Sequence, residues 1–267
     1  MHQILNTPIL FDTTLASLLT LAFFAFVAGL IDSVVGGGGL IQLPALLISL
    51  PKANLATVFG TNKIAALSGT SIAAIQYAKR VKFDFKLLGT AALMAGLSSF
   101  SGAKIVSHID SNALKPFILF ILIAIAIYTF FKKDLGATIT KNLSIKQQLF
   151  HVIWLSLIIG FYDGFFGPGT GSFFVLGFVL VLGFEFIKAA AYAKVVNCMA
   201  NLTALFVFIK DGNFLIHLAI LMAIFNMLGN GVGSKLALAR GNKFIRIVFL
   251  VIVILMIIRY AYDLFSH

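Results

Sequence analysis

Two aspartates stand beside glycine-rich breaks in long apolar segments. Asp32 lies in the run GLIDSVVGGGGLIQLP, which begins at Gly29, and Asp163 lies in GFYDGFFGPGTGSFF, which begins at Gly160. A carboxylate in hydrocarbon is costly, and unwound backbone survives there only where it lines a cavity or is buried in protein. Because both features occur together twice, they predict a binding site inside a membrane protein.

The glycine breaks are candidates for anion binding. Each precedes a short apolar segment, and the N-terminus of a helix there would offer free N–H groups and the positive end of its dipole. The alternative is that the glycines only permit close helix packing. Their recurrence beside an acid favours the binding site. The candidate residues are Gly36, Gly37, Gly38, Gly39, Gly167, Gly169, Thr170 and Gly171.

Two lysines lie within apolar segments that follow the breaks. Lys63 is part of VFGTNKIAALSGT, and Lys194 is part of AAYAKVVNCMANLTA. They could supply positive charge to a bound anion, or they could snorkel or form structural ion pairs with the aspartates. Polar neighbours favour a cavity, and the substrate site is therefore predicted to include Thr61, Asn62 and Asn197 with both lysines.

The aspartates have two alternative roles. Asp32 and Asp163 are candidates for protonatable coupling sites, because a buried carboxylate beside a mobile cation can exchange a proton during transport. Alternatively, each could cap a broken helix by accepting hydrogen bonds from free N–H groups. The sequence leaves these two readings open.

A constant difference in residue number relates the two halves of the chain. The same difference separates Asp32 from Asp163 and Lys63 from Lys194, and we call it the repeat offset. It holds without gaps from about residue 29 to 128. Each half contains an apolar stretch up to the break, a short apolar piece and three longer spans. The pieces are about 14–34, 39–50, 55–77, 87–107 and 114–131, then 146–165, 171–184, 188–209, 214–235 and 244–262.

This pattern predicts an all-α polytopic membrane protein with two inverted-topology repeats. Each repeat would be a Gly-broken helical hairpin plus three transmembrane helices. A single transmembrane transport domain would occupy 1–267, with a first repeat at 14–131, a basic cytoplasmic linker at 132–145 and a second repeat at 146–262. Re-entrant hairpins and two extra crossings per repeat are both compatible with the short pieces.

Composition supports the membrane class. The chain is 60% hydrophobic and 11% charged, with a mean hydropathy of +1.05, which excludes an ordinary soluble domain. The net charge of +11 is explained better by basic loops than by nucleic-acid binding. By the positive-inside rule, the loops around 79–86 and 235–246 and the linker are predicted to be cytoplasmic, with both termini periplasmic or extracellular.

Enzyme chemistry and metal binding are not indicated. A single cysteine, Cys198, argues against a multi-cysteine metal site, and the histidines lack metal-ligand spacing. No Walker motif, nucleophile elbow or HExxH sequence is present. We therefore expect no enzymatic activity, no cofactor and no metal.

Four motifs together resemble the sulfite exporter TauE/SafE family. They are Gly29-Leu-Ile-Asp-Ser-Val-Val-Gly-Gly-Gly-Gly-Leu40, Gly60-Thr-Asn-Lys63, Gly160-Phe-Tyr-Asp-Gly-Phe-Phe-Gly-Pro-Gly-Thr-Gly171 and Ala193-Lys-Val-Val-Asn197. The resemblance implies a permease of the bacterial inner membrane for small anions, chiefly sulfite and sulfur-containing organic acids. It also implies secondary rather than ATP-driven transport.

The resulting functional prediction is a secondary anion transporter. The substrate would bind near the midplane between the repeats and cross by alternating access. The alternatives are an anion channel and a membrane assembly partner without transport. The expected partners are a small anionic sulfur compound and the lipid bilayer but no nucleic acid, and a homo-oligomer is compatible with the sequence.

Overall fold

A computed structural model provides the fold of the chain. It describes residues 8–10, 13–109, 114, 118–121, 123–124, 141, 143–240, 258 and 262. The predicted spans 114–131 and 244–262, the linker 132–145 and the basic loop beyond residue 240 therefore lie largely or wholly outside the described residues, as do both ends of the chain.

The described residues form eight helices and one short antiparallel strand pair, β1 (Pro8–Leu10) with β2 (Thr13–Thr14). The helices of the first half are α1 (Leu15–Val35), α2 (Gly39–Ser49), α3 (Leu55–Ala78) and α4 (Phe85–Val106). Those of the second half are α5 (Ile145–Phe165), α6 (Thr170–Leu180), α7 (Phe186–Lys210) and α8 (Ile216–Arg240).

Side-chain caps determine where several long helices begin. Asn54 accepts a hydrogen bond from the amide of Ala56 at the start of α3, and Asp84 accepts from the first amides of α4. Ser144 and Gln147 form a reciprocal capping box at the start of α5. Such side chains satisfy amides that have no partner within the helix.

The glycine breaks end one helix and begin another. Gly36 follows α1 with a φ of 83°, and its amide donates to the carbonyl O of Asp32 at 2.8 Å. In the second half Gly167 has a φ of 93°, and Gly169 precedes α6. L-residues avoid this left-handed conformation, so glycine is required where the chain turns out of the helix.

The predicted membrane class is confirmed. Four described helices are long and apolar enough to cross a bilayer: Leu15–Val34, Ile145–Phe165, Phe186–Lys210 and Ile216–Leu238. Helices α2 and α6 have 11 residues each, or about 16 Å of length, which is about half of the hydrocarbon thickness. The protein is thus an all-α polytopic membrane protein, with the two short helices following the two breaks.

Equivalent helices of the two halves make equivalent contacts. The repeat offset relates both ends of α2 to those of α6, and the other helix pairs agree with it to within a few positions. The last helix with described bounds in each half packs on the opposite half: α4 lies against α5 and α7, and α8 lies against α1 and α3. The inverted orientation of the halves in the bilayer stays a prediction.

Glycines allow the closest of these helix crossings. A Cβ atom added at Gly29 of α1 would collide with the backbone of Asn226 in α8. One added at the equivalent position of the second half, Gly160 of α5, would collide in the same way with Ala95 in α4. In lipid no hydrophobic effect drives helices together, so close packing of backbones at small residues stabilises these helix contacts instead.

Candidate substrate site

The two glycine breaks touch each other inside the protein. The amide of Ser172 donates to the carbonyl O of Gly36 at 3.1 Å. A Cβ atom at Gly36 would lie 2.8 Å from the Cα of Gly171, and one at Gly39 would lie 3.1 Å from the Cα of Pro168. Because backbone meets backbone here, the break in α1 and α2 and the break in α5 and α6 form one shared structure.

A small polar cavity lies beside this crossing. Its volume is about 30 Å³, enough for one or two water molecules. Eleven predicted site residues line it: Asp32, Gly36, Gly38, Gly39, Asn62, Lys63, Asp163, Gly167, Gly169, Gly171 and Asn197. The prediction from two separate segments of sequence therefore converges on a single place.

Four predicted site residues are not among the residues that line the cavity. Thr61 instead accepts a hydrogen bond from the amide of Leu215 at 3.0 Å, and Thr170 donates to the carbonyl O of Gly167 at 2.7 Å. Gly37 belongs to the break, and Lys194 is paired with Asp32. These residues therefore contribute to the packing around the cavity and not to its lining.

Two buried ion pairs connect the halves crosswise. Lys63 Nζ lies 2.7 Å from Asp163 Oδ2 and also donates to the carbonyl O of Asp163 at 2.8 Å. Lys194 Nζ lies 2.8 Å from Asp32 Oδ2 and donates to the carbonyl O of Asp32. The ion-pair alternative is thus present in the structure, and each lysine also uses the carbonyl that the broken helix exposes.

Lys63 retains the capacity for a further contact. An ammonium group has three donors, and the contacts to Asp163 use two of them. Lys63 lines the cavity, whereas Lys194 is not among the lining residues. Of the two predicted lysines, Lys63 is therefore the one placed to meet a ligand directly in this conformation.

The two aspartates have similar partners and different access. Thr70 Oγ1 donates to Asp32 Oδ2 at 3.1 Å, and Ser99 Oγ donates to Asp163 Oδ2 at 3.4 Å. The side chain of Asp32 is 12% exposed, whereas that of Asp163 is 2% exposed. Asp32 is thus the more exposed of the two carboxylates.

Several polar groups at the cavity lack a protein partner. The amides of Gly38, Gly39, Gly169 and Gly171 donate to no acceptor among the described residues. The buried Gln42 Nε2 likewise has no partner there. A buried polar group without a partner costs about 1–3 kcal/mol, so a ligand that accepts several hydrogen bonds would be stabilised here.

The predicted substrate site leaves out part of the cavity lining, although Thr70 and Asn201 are among the polar neighbours that favour a cavity in the sequence. The residues outside the predicted site are Gln42, Ala66, Thr70, Asn201 and Asn226. Gln42 carries the one amide side chain in the apolar helix GLIQLPALLIS, and that composition was a usable signal. Asn226 comes from α8, and only the packing of α8 on α1 brings it to the cavity.

The fold is that of a polytopic helical membrane protein with a polar cavity where its two halves meet. Residues 21–260 match the family model described as "Sulfite exporter TauE/SafE". The chain belongs to this family, and it is a membrane transporter.

Curated relatives agree with this class over nearly their full lengths. A "Probable membrane transporter protein ORF9" of Sinorhizobium sp is 39% identical over 90% of this chain and 90% of its own length. A "Probable membrane transporter protein" of Haemophilus influenzae is 35% identical over 89% of this chain and 92% of its own. "Probable membrane transporter protein YfcA" of Escherichia coli K12 is 34% identical over 92% and 90%, respectively. No solved structure matches the chain.

Proposed function

We propose that this transporter carries small anions, sulfite or organosulfur acids such as sulfonates, by alternating access at the central cavity. The observation that carries the proposal is the meeting of two helix N-termini at one polar cavity between the halves, with amides that have no partner among the described residues. Sulfite and sulfonate oxygens accept several hydrogen bonds at once and carry the charge that helix N-termini favour. The family description supports the same substrate class.

The crosswise ion pairs supply a mechanism for coupling. In the closed site the charge of Lys63 is balanced by Asp163, and that of Lys194 by Asp32. An entering anion competes with the carboxylate for the ammonium group. If the carboxylate takes up a proton, the lysine is released to the anion and the net charge of the site is unchanged. We therefore assign Asp32 and Asp163 to proton coupling.

Movement of the halves would alter these pairs. One pair joins α3 to α5, and the other joins α7 to α1. Since each pair crosses between halves, rocking of one half against the other opens the cavity and changes both pairs together. The small cavity corresponds to a closed state between the two open ones.

Counterflow in proteoliposomes tests the proposal. Vesicles loaded with unlabelled sulfite are expected to take up labelled sulfite with saturable kinetics. Flux that does not saturate would replace the carrier by a channel, and no flux of any tested anion would refute transport at this site. A prior thermal-shift screen of sulfite, sulfoacetate, sulfate and acetate selects the probe, because a ligand that binds the folded state stabilises it.

Variants of the aspartates test the coupling. Asp32→Asn and Asp163→Asn should retain exchange of bound anion but lose the dependence of net uptake on an imposed proton gradient. Asp211→Asn, at an exposed position after α7, is the matched control. Unchanged proton dependence in both variants would restrict the two aspartates to capping and ion pairing.

The proposal includes an orientation in the bacterial inner membrane. The basic segments that end α3 and α8 are expected in the cytoplasm, as the positive-inside rule predicts. An epitope inserted in the linker 132–145 should be accessible in inverted vesicles and protected in intact cells. The reverse accessibility would overturn the orientation without affecting the substrate assignment.

A further inference from the structure

A second, wider pocket opens at the end of the protein where α3 and α8 end. Its volume is about 450 Å³, and it is lined by Gln76, Lys79, Arg80, Lys235 and Leu238. We refer to these five residues as the basic vestibule. The two basic segments that form it come from opposite halves of the chain and are adjacent only in the folded protein.

The three cations of the basic vestibule have no acidic partner among the residues that the structure describes. Lys79, Arg80 and Lys235 are exposed, and none forms a salt bridge with a carboxylate in the part of the chain that the structure describes. Three uncompensated positive charges around one concave surface attract anions and raise their local concentration. The vestibule therefore has the electrostatics of an anion-binding site.

A series of hydrogen bonds, one of them to the backbone carbonyl of Asn230, connects the basic vestibule with the central cavity. Ser234 Oγ donates to Gln76 Oε1 at 2.7 Å and lies 2.6 Å from the carbonyl O of Asn230. Asn230 Nδ2 donates to Asn226 Oδ1 at 2.8 Å, and Asn226 Nδ2 donates to Gln42 Oε1 at 2.7 Å. We call Gln76, Ser234, Asn230, Asn226 and Gln42 the polar ladder.

The polar ladder runs through the interior. Ser234, Asn230, Asn226 and Gln42 are buried, and the last two also line the central cavity. Asn230 Oδ1 and Gln42 Nε2 have no hydrogen-bond partner among the described residues. Gln42 Nε2 is a donor that an anion can use as it loses water on its way inward, whereas Asn230 Oδ1 is an acceptor and can hold only a donor such as a water molecule.

The other half has no such series. The positions that the repeat offset makes equivalent to the polar ladder are mostly apolar: Val207, Ala103, Ser99, Ala95 and Phe173. At the vestibule, the counterparts of Lys79 and Arg80 are Lys210 and Asp211, so an acid replaces one cation. Because the two halves differ at these positions, the polar ladder is not a feature that both repeats share.

We propose that the basic vestibule is a second anion-binding site, where small oxyanions are held before they enter the central cavity along the polar ladder. The inference rests on the proposed function for the chemistry of the ion, and on the geometry for the site and the route. It predicts that this end of the protein captures anions, whereas the opposite end lacks an equivalent site.

Cysteine labelling tests both the site and the route. Ser234→Cys is introduced into a Cys198→Ser background, and the protein is placed in nanodiscs of neutral phosphatidylcholine, which leave both faces accessible. The probes are an anionic sulfonatoethyl and a cationic trimethylammonioethyl methanethiosulfonate at low salt. The anionic reagent is expected to react about tenfold faster, because the vestibule concentrates it.

Matched variants identify the cause of this preference. Exchanging Lys79, Arg80 and Lys235 for Gln should lower the ratio of anionic to cationic rates about tenfold. Exchanging Lys82 and Lys86, exposed cations of the neighbouring loop, should leave the ratio unchanged. An unreactive Ser234→Cys, or a ratio that the triple variant does not lower, would overturn the inference.

The opposite half provides a second control. Ala103→Cys stands at the position equivalent to Ser234 and is also buried, so it should react slowly and without preference for the anionic reagent. Equal labelling at both positions would contradict a one-sided route. Labelling needs no transport: preferential labelling without counterflow would refute the proposed function alone, and counterflow without preferential labelling would refute this inference alone.

A lipid headgroup is the competing occupant of the vestibule. Nanodiscs containing phosphatidylglycerol distinguish it, with rates normalised to Phe85→Cys, an exposed position at the start of α4. A preference that persists supports capture of a free anion. If Ser234→Cys loses its preference for the anionic reagent and its ratio of rates equals that of Phe85→Cys, the site would be assigned to the phosphate of a lipid. That result would overturn the inference.

Discussion

The centre of this transporter is built twice in the same manner, whereas the two helix interfaces beside it differ. At the centre, each lysine reaches the aspartate of the other half and the carbonyl beside it. The interface of α8 with α1 and α3 contains the polar ladder, whereas the equivalent positions of the other half are apolar except for Ser99. Both halves therefore contribute the same kind of ion pair to the site, whereas the two interfaces beside the site differ in polarity.

This difference separates two requirements of a transporter. A site that opens alternately to both sides needs similar contacts on either side, so that neither closed arrangement is strongly preferred. Entry of an ion needs hydration and attraction only where the ion is captured. In the mechanism that we propose, the similar ion pairs would meet the first requirement, and the polar ladder with the basic vestibule would meet the second at one end.

The largest expected effect comes from breaking one ion pair. Asp163→Asn leaves Lys63 as a buried cation without its counter-charge, which should lower the free energy of unfolding by about 3–5 kcal/mol. Asp32→Asn should lower it less, because the Asp32 side chain is the more exposed of the two carboxylates. Thermal unfolding followed by fluorescence-detected size exclusion measures both.

The double variant Lys63→Gln with Asp163→Asn is the control for this comparison. It removes both charges and should recover most of the lost stability. If Asp32→Asn proved the more damaging change, or the double variant recovered nothing, the two pairs would not differ in the way that their burial indicates.

The next effect concerns the crossing of the two glycine breaks. Gly36→Ala combines an unfavourable φ with a collision against the backbone of Gly171 and Ser172, and should lower stability by about 2–4 kcal/mol. Gly167→Ala meets its nearest atoms at 3.3 Å and should be the milder change. Gly89→Ala, whose added methyl meets nothing within 4 Å, is the control and should be neutral or stabilising.

The polar ladder predicts an effect that is larger on transport than on stability. Asn226→Ala introduces the residue found at the equivalent position 95 and removes the donor to Gln42 Oε1. We expect a loss of about 1–3 kcal/mol in stability and a severalfold higher KM in counterflow. Ser101→Ala, at an exposed position of α4, is the control. An unchanged KM would reduce the ladder to a packing feature.

The smallest effect tests a contact that the two halves share. The Thr61 hydroxyl accepts from the amide of Leu215 at 3.0 Å, and the hydroxyl of Tyr192, at the equivalent position of the second half, accepts from the amide of Asp84 at 2.7 Å. Thr61→Val and Tyr192→Phe should each lower stability by about 1 kcal/mol, the net value of one hydrogen bond. Clearly unequal losses of stability would show that the two halves resemble each other over fewer contacts than we propose.

Local features of the fold were predictable because their causes lie close together in the chain. The breaks at Gly36 and Gly167 follow from glycine itself, which alone adopts a positive φ without strain. The bounds of α2 were predicted as 39–50 and observed as Gly39–Ser49, since an apolar segment between glycine and proline signals has few alternatives. The membrane class likewise follows from composition.

The site was predictable only in part. Types and spacing named eleven of the residues that line the central cavity, because broken backbone and polar side chains in apolar segments both need partners inside a membrane. Spacing could not choose between a free lysine and an ion pair. Nor could it show that α8 would bring Asn226 to Gln42, since the distance between two helices distant in sequence has no local signal.

The sequence by itself thus determined the membrane class, the two breaks and the buried charges of both signs. Tertiary structure alone decided that each lysine pairs with the aspartate of the opposite half and that the polar ladder forms at one of the two interfaces. The physical reason is that helix formation and hydrophobicity depend on neighbouring residues, whereas ion pairing and polar contacts depend on which helices pack together.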